Sequence, residues 1–202
     1  MKYIFTLLLF TIFISTNILS SDEISEDCSS KNVPSSERSF SNNFSGNFNG
    51  KNLQYTASLK EKILYEKDNP NEPMASFFYT EYIVASDKNR PVIFSFNGGP
   101  GSASLWLHMG VLGPKVIKVP SDASDDGSAP YKIVDNKLSP LSDADLVFID
   151  PIGTGYSRAV GCHEPEEFWG VSEDPKIIAE FIRRWINDNK RWNSPRYILG
   201  ES

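Results

Sequence analysis

A serine follows a short apolar run late in the sequence. Gly200-Glu201-Ser202 comes directly after Tyr197 to Leu199, a run that predicts a strand. This order matches the first half of the Gly-x-Ser-x-Gly turn, in which a serine on a sharp strand-to-helix turn projects its hydroxyl above a sheet and attacks a carbonyl carbon. Because Gly-x-Ser also ends strands in purely structural turns, this feature alone favours the structural interpretation.

A glycine turn earlier in the chain could supply a second part of such a site. Asn97-Gly98-Gly99-Pro100-Gly101 follows Val92 to Phe96, another apolar run. Without side chains, the backbone N–H groups of a glycine turn can approach a ligand and donate to a developing oxyanion. A turn that only reverses the chain is the alternative. Together, the glycine turn and the later serine have the order that an acyl-transfer site requires.

The runs that precede these turns predict a parallel sheet. Val92 to Phe96, Leu146 to Ile149 and Tyr197 to Leu199 are short, nearly continuous apolar segments, as expected for buried parallel strands. Pro175 to Trp185 has apolar residues at helical spacing, with Asp174 placed to cap the helix. A strand, a helix and a strand in this order form a crossover unit, so we predict an α/β fold that is parallel at its centre.

Two longer segments upstream predict antiparallel strands. Leu53 to Leu59 and Ala75 to Ala85 are rich in β-branched and aromatic residues, and a segment rich in Asn and Pro separates them. Residues 21–50 are rich in Ser, Asn, Asp and Glu, so we expect them to form a flexible polar arm before a domain over residues 51–202.

The first twenty residues predict export. Lys2 precedes an apolar run from Ile4 to Ile14, and small polar residues follow around Ser20 and Ser21. This pattern is typical of a secretory signal peptide over residues 1–20, and the run is shorter than the roughly 20 residues that a membrane-spanning helix needs. We therefore expect a secreted or periplasmic protein, or a vacuolar or lysosomal one in a eukaryote, with no membrane contact after signal cleavage.

The composition excludes some partners. The sequence is 40% hydrophobic and has a net charge of -6, which is typical of a globular domain and argues against nucleic acid as a partner. Cys28 and Cys162 are the two cysteines, and neither has the spacing of a metal-ligand motif. Export permits a disulfide between them but does not require one. We predict no cofactor and no metal, and the sequence leaves the oligomeric state open.

Four motifs in order resemble the serine carboxypeptidase family, which has an α/β-hydrolase fold. They lie between Ala75 and Ser202 and are Phe96-Asn97-Gly98-Gly99-Pro100-Gly101-Ser102-Ala103-Ser104, Leu112-Gly113-Pro114, Phe148-Ile149-Asp150-Pro151-Ile152-Gly153-Thr154-Gly155-Tyr156-Ser157 and Gly200-Glu201-Ser202. Trp106 to Gly110 and Arg191 to Pro195 resemble bacterial members more than plant and fungal ones. The resemblance implies that this chain is the N-terminal part of a mostly parallel central sheet with flanking helices, incomplete at the serine.

The resemblance also implies roles for five residues. Ser202 corresponds to the nucleophile and the N–H of Gly99 to an oxyanion donor. Asn97, the N–H of Gly98 and Glu201 correspond to positions that bind the free C-terminal carboxylate of a peptide substrate. Holding that carboxylate beside Glu201 requires that the two carboxyl groups share a proton, so the family usually works best at acidic pH.

Two positions depart from the family pattern. Val111 stands where the family has a glutamate that shares a proton with the Glu201 position, which weakens the expectation of an acidic optimum. Ser102 stands where the family has a cysteine, so the disulfide made by that cysteine cannot form here.

A serine nucleophile also needs a histidine base and a carboxylate, which follow the serine in chain order on this fold. His108 and His163 both precede Ser202, and we do not expect either to act as the base. Asp150 is interpreted as a strand-end residue that holds the glycine-rich loop after it. We therefore expect these 202 residues alone to be inactive. The alternatives to a carboxypeptidase are an acyltransferase on the same scaffold and a non-catalytic truncated product.

Overall fold

The computed structural model describes residue 28 and residues 31–85, 89–99, 101–119 and 129–201. The signal peptide predicted over residues 1–20, the first part of the predicted polar arm and Ser202 lie outside the described residues. Within them, the strands in chain order are β1 (Ser39–Phe48), β2 (Lys51–Tyr65), β3 (Pro73–Val84), β4 (Val92–Asn97), β5 (Lys115–Ile117), β6 (Ile133–Asp135), β7 (Asp145–Ile149), β8 (Arg158–Ala159) and β9 (Arg196–Glu201).

The described helices are short except for one. Helix α1 (Leu105–Leu107) continues into a π-helical turn over His108–Leu112, and α2 (Glu173–Asp188) lies between β8 and β9 in the chain. Single 3-10 turns cover Pro140–Ser142 and Pro165–Phe168. In the part of the chain that the structure describes, no helix has the length and apolar character needed to cross a membrane.

The main sheet has seven strands in the order β1-β2-β3-β7-β4-β9, with β8 paired to β3. Strands β7, β4 and β9 run parallel, whereas β1, β2, β3 and β7 pair in antiparallel fashion. The predicted α/β fold is therefore confirmed as a mixed sheet. The antiparallel pair predicted upstream is β2 and β3, and the three apolar runs form the parallel strands.

Strand β1 corrects the prediction of a flexible arm over residues 21–50. Residues 39–48 pair with β2 along their whole length instead of forming a mobile segment. Asn49 and Gly50, both at positive φ, form the turn between the two strands, which is a common hairpin signal. Phe48 is buried and contacts Tyr55 edge-on at 5.7 Å between ring centres. The Ser- and Asn-rich composition fits an exposed edge strand rather than disorder.

The segment before β1 is joined covalently to the main body of the protein. Cys28 and Cys162 form a disulfide, so the pairing that the sequence left open is present. Beside the disulfide, the Gly161 N–H donates to the Lys31 carbonyl oxygen at 2.8 Å. Lys31 therefore lies against the loop that follows β8.

Apolar side chains cover both faces of the sheet. On one face, α2 packs through Phe181 and Trp185 against residues such as Phe77 and Phe94. On the other face, Leu107 and the residues around it pack against Phe148 and its neighbours. Burial on both faces explains the nearly continuous apolar runs of β4 and β7. Strand β9 is the last strand in the sheet order, and its Tyr197 and Ile198 are exposed.

Helix α2 begins earlier than predicted. It starts at Glu173 with Ser172 in the N-cap position, so Asp174 is not the capping residue. Asp174 lies in the first turn, where its Oδ2 accepts the Gly170 N–H at 3.4 Å. Its negative charge is still favourable there because the N-terminus of a helix carries a partial positive charge.

A buried aspartate joins the starts of the parallel strands. Asp145 is 1% exposed and accepts hydrogen bonds from the Val84 N–H at 3.0 Å, Arg90 Nε at 3.1 Å and Arg191 Nη1 at 2.8 Å. Arg191 also donates to Ser194 Oγ at 2.7 Å. A carboxylate this deeply buried is stable only because two cations and a backbone donor satisfy it.

His108 directly follows α1 and is partly buried. Its Nε2 lies 2.6 Å from the Tyr82 hydroxyl oxygen, and its ring stacks on Phe148 at 4.6 Å between centres. Burial lowers the pKa of His108 to about 4, because the charged imidazolium would lose its hydration. The residue is therefore neutral near pH 7 and belongs to the core.

Removing the Asp145 carboxylate should destabilise the protein strongly. In the protein expressed from its complete reading frame, Asp145→Ala should lower the free energy of unfolding by about 3–5 kcal/mol, because Arg90 and Arg191 would be left buried without their partner. Asp143→Ala is the matched control, since the exposed Asp143 pairs with Lys51 at 2.6 Å and exposed pairs contribute less than about 1 kcal/mol. Denaturant titration of both variants measures the difference, and equal losses would contradict this assignment.

The partly buried, neutral His108 should make stability depend on pH. The unfolded chain binds the His108 proton below pH 6.5, whereas the folded protein binds it only near pH 4. The stability present above pH 6.5 should therefore fall by about 3 kcal/mol as the pH drops to 4, at 1.36 kcal/mol for each unit of pKa shift. Denaturant titrations from pH 4 to pH 7.5 measure how the free energy of unfolding changes with pH. His108→Phe should remove the His108 part of this slope, and His163→Phe should retain it. A slope unchanged in His108→Phe would show that other groups cause it.

Candidate active site at the carboxyl ends of two parallel strands

The candidate residues meet where β4 and β9 end. Asn97 is the last residue of β4 and pairs directly with Glu201, the last residue of β9. Because parallel neighbours end at the same edge of a sheet, the glycine turn after β4 lies next to the residue that precedes Ser202. The structure thus brings Asn97, Gly98, Gly99 and Glu201 together, while Ser202 itself lies outside the described residues.

Asn97 is held in a fixed orientation. It is 1% exposed, its Nδ2 donates to Glu201 Oε2 at 2.8 Å, and its Oδ1 accepts the Leu107 N–H at 3.1 Å. An amide NH₂ group carries two donors, and the bond to Glu201 engages one of them. The remaining donor gives Asn97 the capacity to bind a further oxygen atom at this edge.

The Gly98 N–H, which the family resemblance assigns to the substrate carboxylate, has a partner within the chain. The Gly98 N–H donates to the Glu201 carbonyl oxygen at 2.5 Å, which continues the β4–β9 ladder by one step beyond the strand end. Binding a substrate carboxylate through this donor would require that the bond be shared or broken. The Glu201 residue is exposed, so its carboxyl group is accessible from outside.

The turn after Asn97 has a backbone that only glycine adopts easily. Gly99 has a φ of +134° and Gly101 a φ of +104°. A Cβ atom on Gly99 would lie 3.1 Å from the Gly101 nitrogen, closer than side chains normally approach. These glycines therefore allow the backbone to be approached closely, which donation to an oxyanion requires.

Ser104 and Asp150 lie immediately behind the turn. The Ser104 N–H donates to Asp150 Oδ1 at 2.8 Å, and Ser104 Oγ donates to the Ile149 carbonyl and accepts the Asn97 N–H at 3.3 Å. Burial raises the pKa of Asp150, and the bond from Ser104 offsets part of this effect. The sequence identified Asp150 as a strand-end residue but gave no signal that it contacts Ser104, because the contact is tertiary.

A cleft of about 410 Å³ opens beside the turn. Gly98, Gly99 and Gly101 line one side, and its other lining residues are mostly apolar: Phe96, Pro151, Ile152, Trp169, Gly170, Val171, Asp174, Pro175 and Ile178. Trp169 is fixed there because its Nε1–H donates to the Ile152 carbonyl at 3.1 Å. On α1, Trp106 is 70% exposed.

The two histidines contact residues outside the glycine turn. His108 pairs with Tyr82 in the core, as described above, and is uncharged near neutral pH. His163 Nδ1 lies 2.9 Å from Glu167 Oε2, and its Nε2 lies 3.4 Å from Glu66 Oε1. That neither histidine acts as the base stays a prediction. The described residues contain no cluster of three His, Cys, Asp or Glu side chains suited to a metal ion.

Comparison with known proteins identifies relatives of this chain. The family model described as "Serine carboxypeptidase" matches residues 53–202. Serine carboxypeptidase-like 9 of Arabidopsis thaliana is 32% identical over 136 residues, which cover 65% of this chain and 29% of that protein. Serine carboxypeptidase-like 2 of the same plant is 30% identical over 138 residues, with the same coverage of 65% and 29%.

The chain thus spans less than a third of the length of these curated relatives. That the sequence lies nearer to bacterial members than to plant ones stays a prediction. The match to the family model extends over most of the chain and includes the glycine turn, Asp150 and the strand that precedes Ser202. On this evidence, the chain belongs to the serine carboxypeptidase family.

Proposed function

We propose that this chain supplies the nucleophile, an oxyanion donor and the substrate-carboxylate site of a serine-type carboxypeptidase. The observation that carries the proposal is the hydrogen bond from Asn97 Nδ2 to Glu201 Oε2, formed next to the glycine turn and directly before Ser202. An amide and a carboxyl group at this position suit a peptide with a free C-terminal carboxylate. They would make the enzyme remove the last residue of a peptide rather than cut within it.

The reaction proposed is acyl transfer in two steps. The Ser202 hydroxyl attacks the carbonyl carbon of the last peptide bond while a base accepts its proton. The negative charge that develops on the carbonyl oxygen is stabilised by the Gly99 N–H. The same proton then passes to the leaving amine, and water releases the peptide from Ser202. The family resemblance assigns the base and its carboxylate to residues that follow Ser202 in the protein.

Substrate binding would depend on a shared proton. A substrate carboxylate that contacts Glu201 repels it unless one of the two groups is protonated. Asn97 is suited to the remaining interaction because its second amide hydrogen can donate to the substrate carboxylate. Val111 stands where the family has a glutamate. Asn97 and Glu201 would therefore bind the substrate carboxylate without a second protein carboxyl group at position 111.

Export of the protein is also proposed. The predicted signal peptide over residues 1–20 and the Cys28–Cys162 disulfide both support an oxidising compartment, because disulfides are rare in the cytosol. The interpretation of these 202 residues as inactive by themselves rests on the missing base and stays a proposal.

Covalent labelling tests the nucleophile. When the protein expressed from its complete reading frame is treated with a serine-directed phosphonate, peptide mass spectrometry should find the label on Ser202, because an activated hydroxyl reacts far faster than other serines. Ser202→Ala should abolish labelling and reduce hydrolysis of N-blocked dipeptides by at least about 10³-fold. Ser41→Ala, on the exposed strand β1, serves as the control and should change neither.

The same preparation separates the two enzyme classes. If protein that has not been treated with the phosphonate hydrolyses blocked dipeptides, the carboxypeptidase proposal stands. If it instead transfers an acyl group from an ester to an alcohol with no peptide hydrolysis, the acyltransferase alternative replaces it. Folded protein that neither labels nor turns over substrate would refute both and favour a non-catalytic product.

A further inference from the structure

We infer that Asp150 is a positioning residue for the reaction and acts through Ser104 to hold the glycine turn in its catalytic shape. The inference rests on the function proposed above. It concerns a residue that contacts neither the substrate nor the reacting atoms, because Asp150 lies behind the turn. Four observations support it.

The first observation is that both sides of the glycine turn are fixed. Asn97 precedes the turn and lies in the β4–β9 ladder. Ser104 follows it, is 2% exposed, and accepts the Asn97 N–H through its hydroxyl at 3.3 Å. The hydroxyl also donates to the carbonyl of Ile149 at the end of β7. The turn is therefore a loop whose two ends are held against each other and against β7.

The second observation is that Asp150 holds the backbone of Ser104. Asp150 Oδ1 accepts the Ser104 N–H at 2.8 Å. A bond from a backbone N–H to an ionised carboxylate is stronger than a bond between neutral groups, and burial of this carboxylate strengthens it further. This bond fixes the N–H of the Ser104 main chain, while its carbonyl oxygen accepts the His108 N–H at 2.8 Å.

The third observation explains the glycine at position 155. A Cβ atom built on Gly155 would overlap Asp150 Oδ2, so any larger residue would displace the carboxylate. Gly155 also has a φ of +51°, which glycine adopts without strain. The loop after β7 thus packs directly against Asp150 through a residue that has no side chain.

The fourth observation connects this arrangement to the substrate side. Gly98, Gly99 and Gly101 line the cleft beside the turn, together with Pro151 and Ile152 of the loop that follows Asp150. Asp150 therefore joins two loops that both line the cleft. Displacing this one carboxylate would move the turn that carries the oxyanion donor relative to Ser202.

The expected effect is on turnover rather than on binding. Oxyanion donors act only within a few tenths of an ångström of their ideal position, and a misplacement of about 1 Å costs roughly 10²-fold in rate. Asn97 keeps its bonds to Glu201 and to the Leu107 N–H when Asp150 is changed, so the carboxylate site should persist. A residue with a merely structural role would lower stability without this separation of kcat from KM.

Two substitutions and their controls test the inference in the protein expressed from its complete reading frame. Asp150→Ala removes the carboxylate that accepts the Ser104 N–H. Gly155→Ala displaces this carboxylate but does not remove its negative charge. Each should lower kcat for blocked dipeptides about 10²-fold and change KM less than about 3-fold. Asp150→Asn keeps an oxygen that can accept the Ser104 N–H, so its kcat should stay within about 10-fold of wild type.

The controls separate geometry from general strain. Gly161→Ala matches Gly155→Ala, because Gly161 also has a positive φ, +66°, and its added Cβ would overlap the Pro73 carbonyl oxygen. Asp135→Ala removes an exposed aspartate that pairs with Lys115. Both should retain wild-type kcat. All assays are run well below the melting temperature of each variant.

The outcomes distinguish this inference from the proposed function. Active wild-type protein with unchanged kcat in Asp150→Ala or in Gly155→Ala would overturn the role of Asp150 and leave the carboxypeptidase proposal intact. A Gly161→Ala variant as slow as Gly155→Ala would also overturn it. Wild-type protein with no turnover would refute the proposed function and this role together. If Asp150→Ala does not fold, Gly155→Ala compared with Gly161→Ala still decides the question.

Discussion

The parallel pairing of β4 with β9 is the constraint on which the site depends. It places Asn97 opposite Glu201 and brings the glycine turn beside the residue before Ser202, although the two segments are far apart in sequence. A shift of one residue in this pairing would turn every side chain of β9 to the other face of the sheet. The hydrogen bond between Asn97 and Glu201 is possible only in the observed register.

Strand β7 supports this register from both of its ends. At its start, Asp145 joins the neighbouring strands through Arg90 and Arg191, and just past its end Asp150 holds Ser104 behind the glycine turn. The two aspartates differ in their surroundings. Asp145 has two cationic partners, whereas burial is the dominant influence on Asp150 and raises its pKa. We infer that Asp145 stabilises the fold. Asp150 shapes the site, and this requires the protein to keep a carboxyl group buried.

The sequence predicted the features that have local signals. Apolar runs that end in glycine turns marked the parallel strands, and family motifs marked Asn97, Gly99 and Glu201. Strand β1 was missed because its polar composition outweighed the Asn49-Gly50 turn signal. The contact of Ser104 with Asp150, and the engagement of the Gly98 N–H by Glu201, could not be predicted, because both depend on how separate segments pack. Sequence reasoning therefore named candidate residues that lie together at one edge of the sheet, but it did not reveal what supports them.

The central claim is that Asn97 and Glu201 form one carboxylate-binding unit, and a double-mutant cycle on the complete protein tests it most directly. Asn97→Ala, Glu201→Gln and the double variant are compared by kcat/KM on a blocked dipeptide and on its C-terminal amide. We expect each single change to lower kcat/KM at least about 10-fold on the free acid and to change it little on the amide. The double variant should lose no more activity than the more impaired single variant. Additive losses that are equal on both substrates would contradict it.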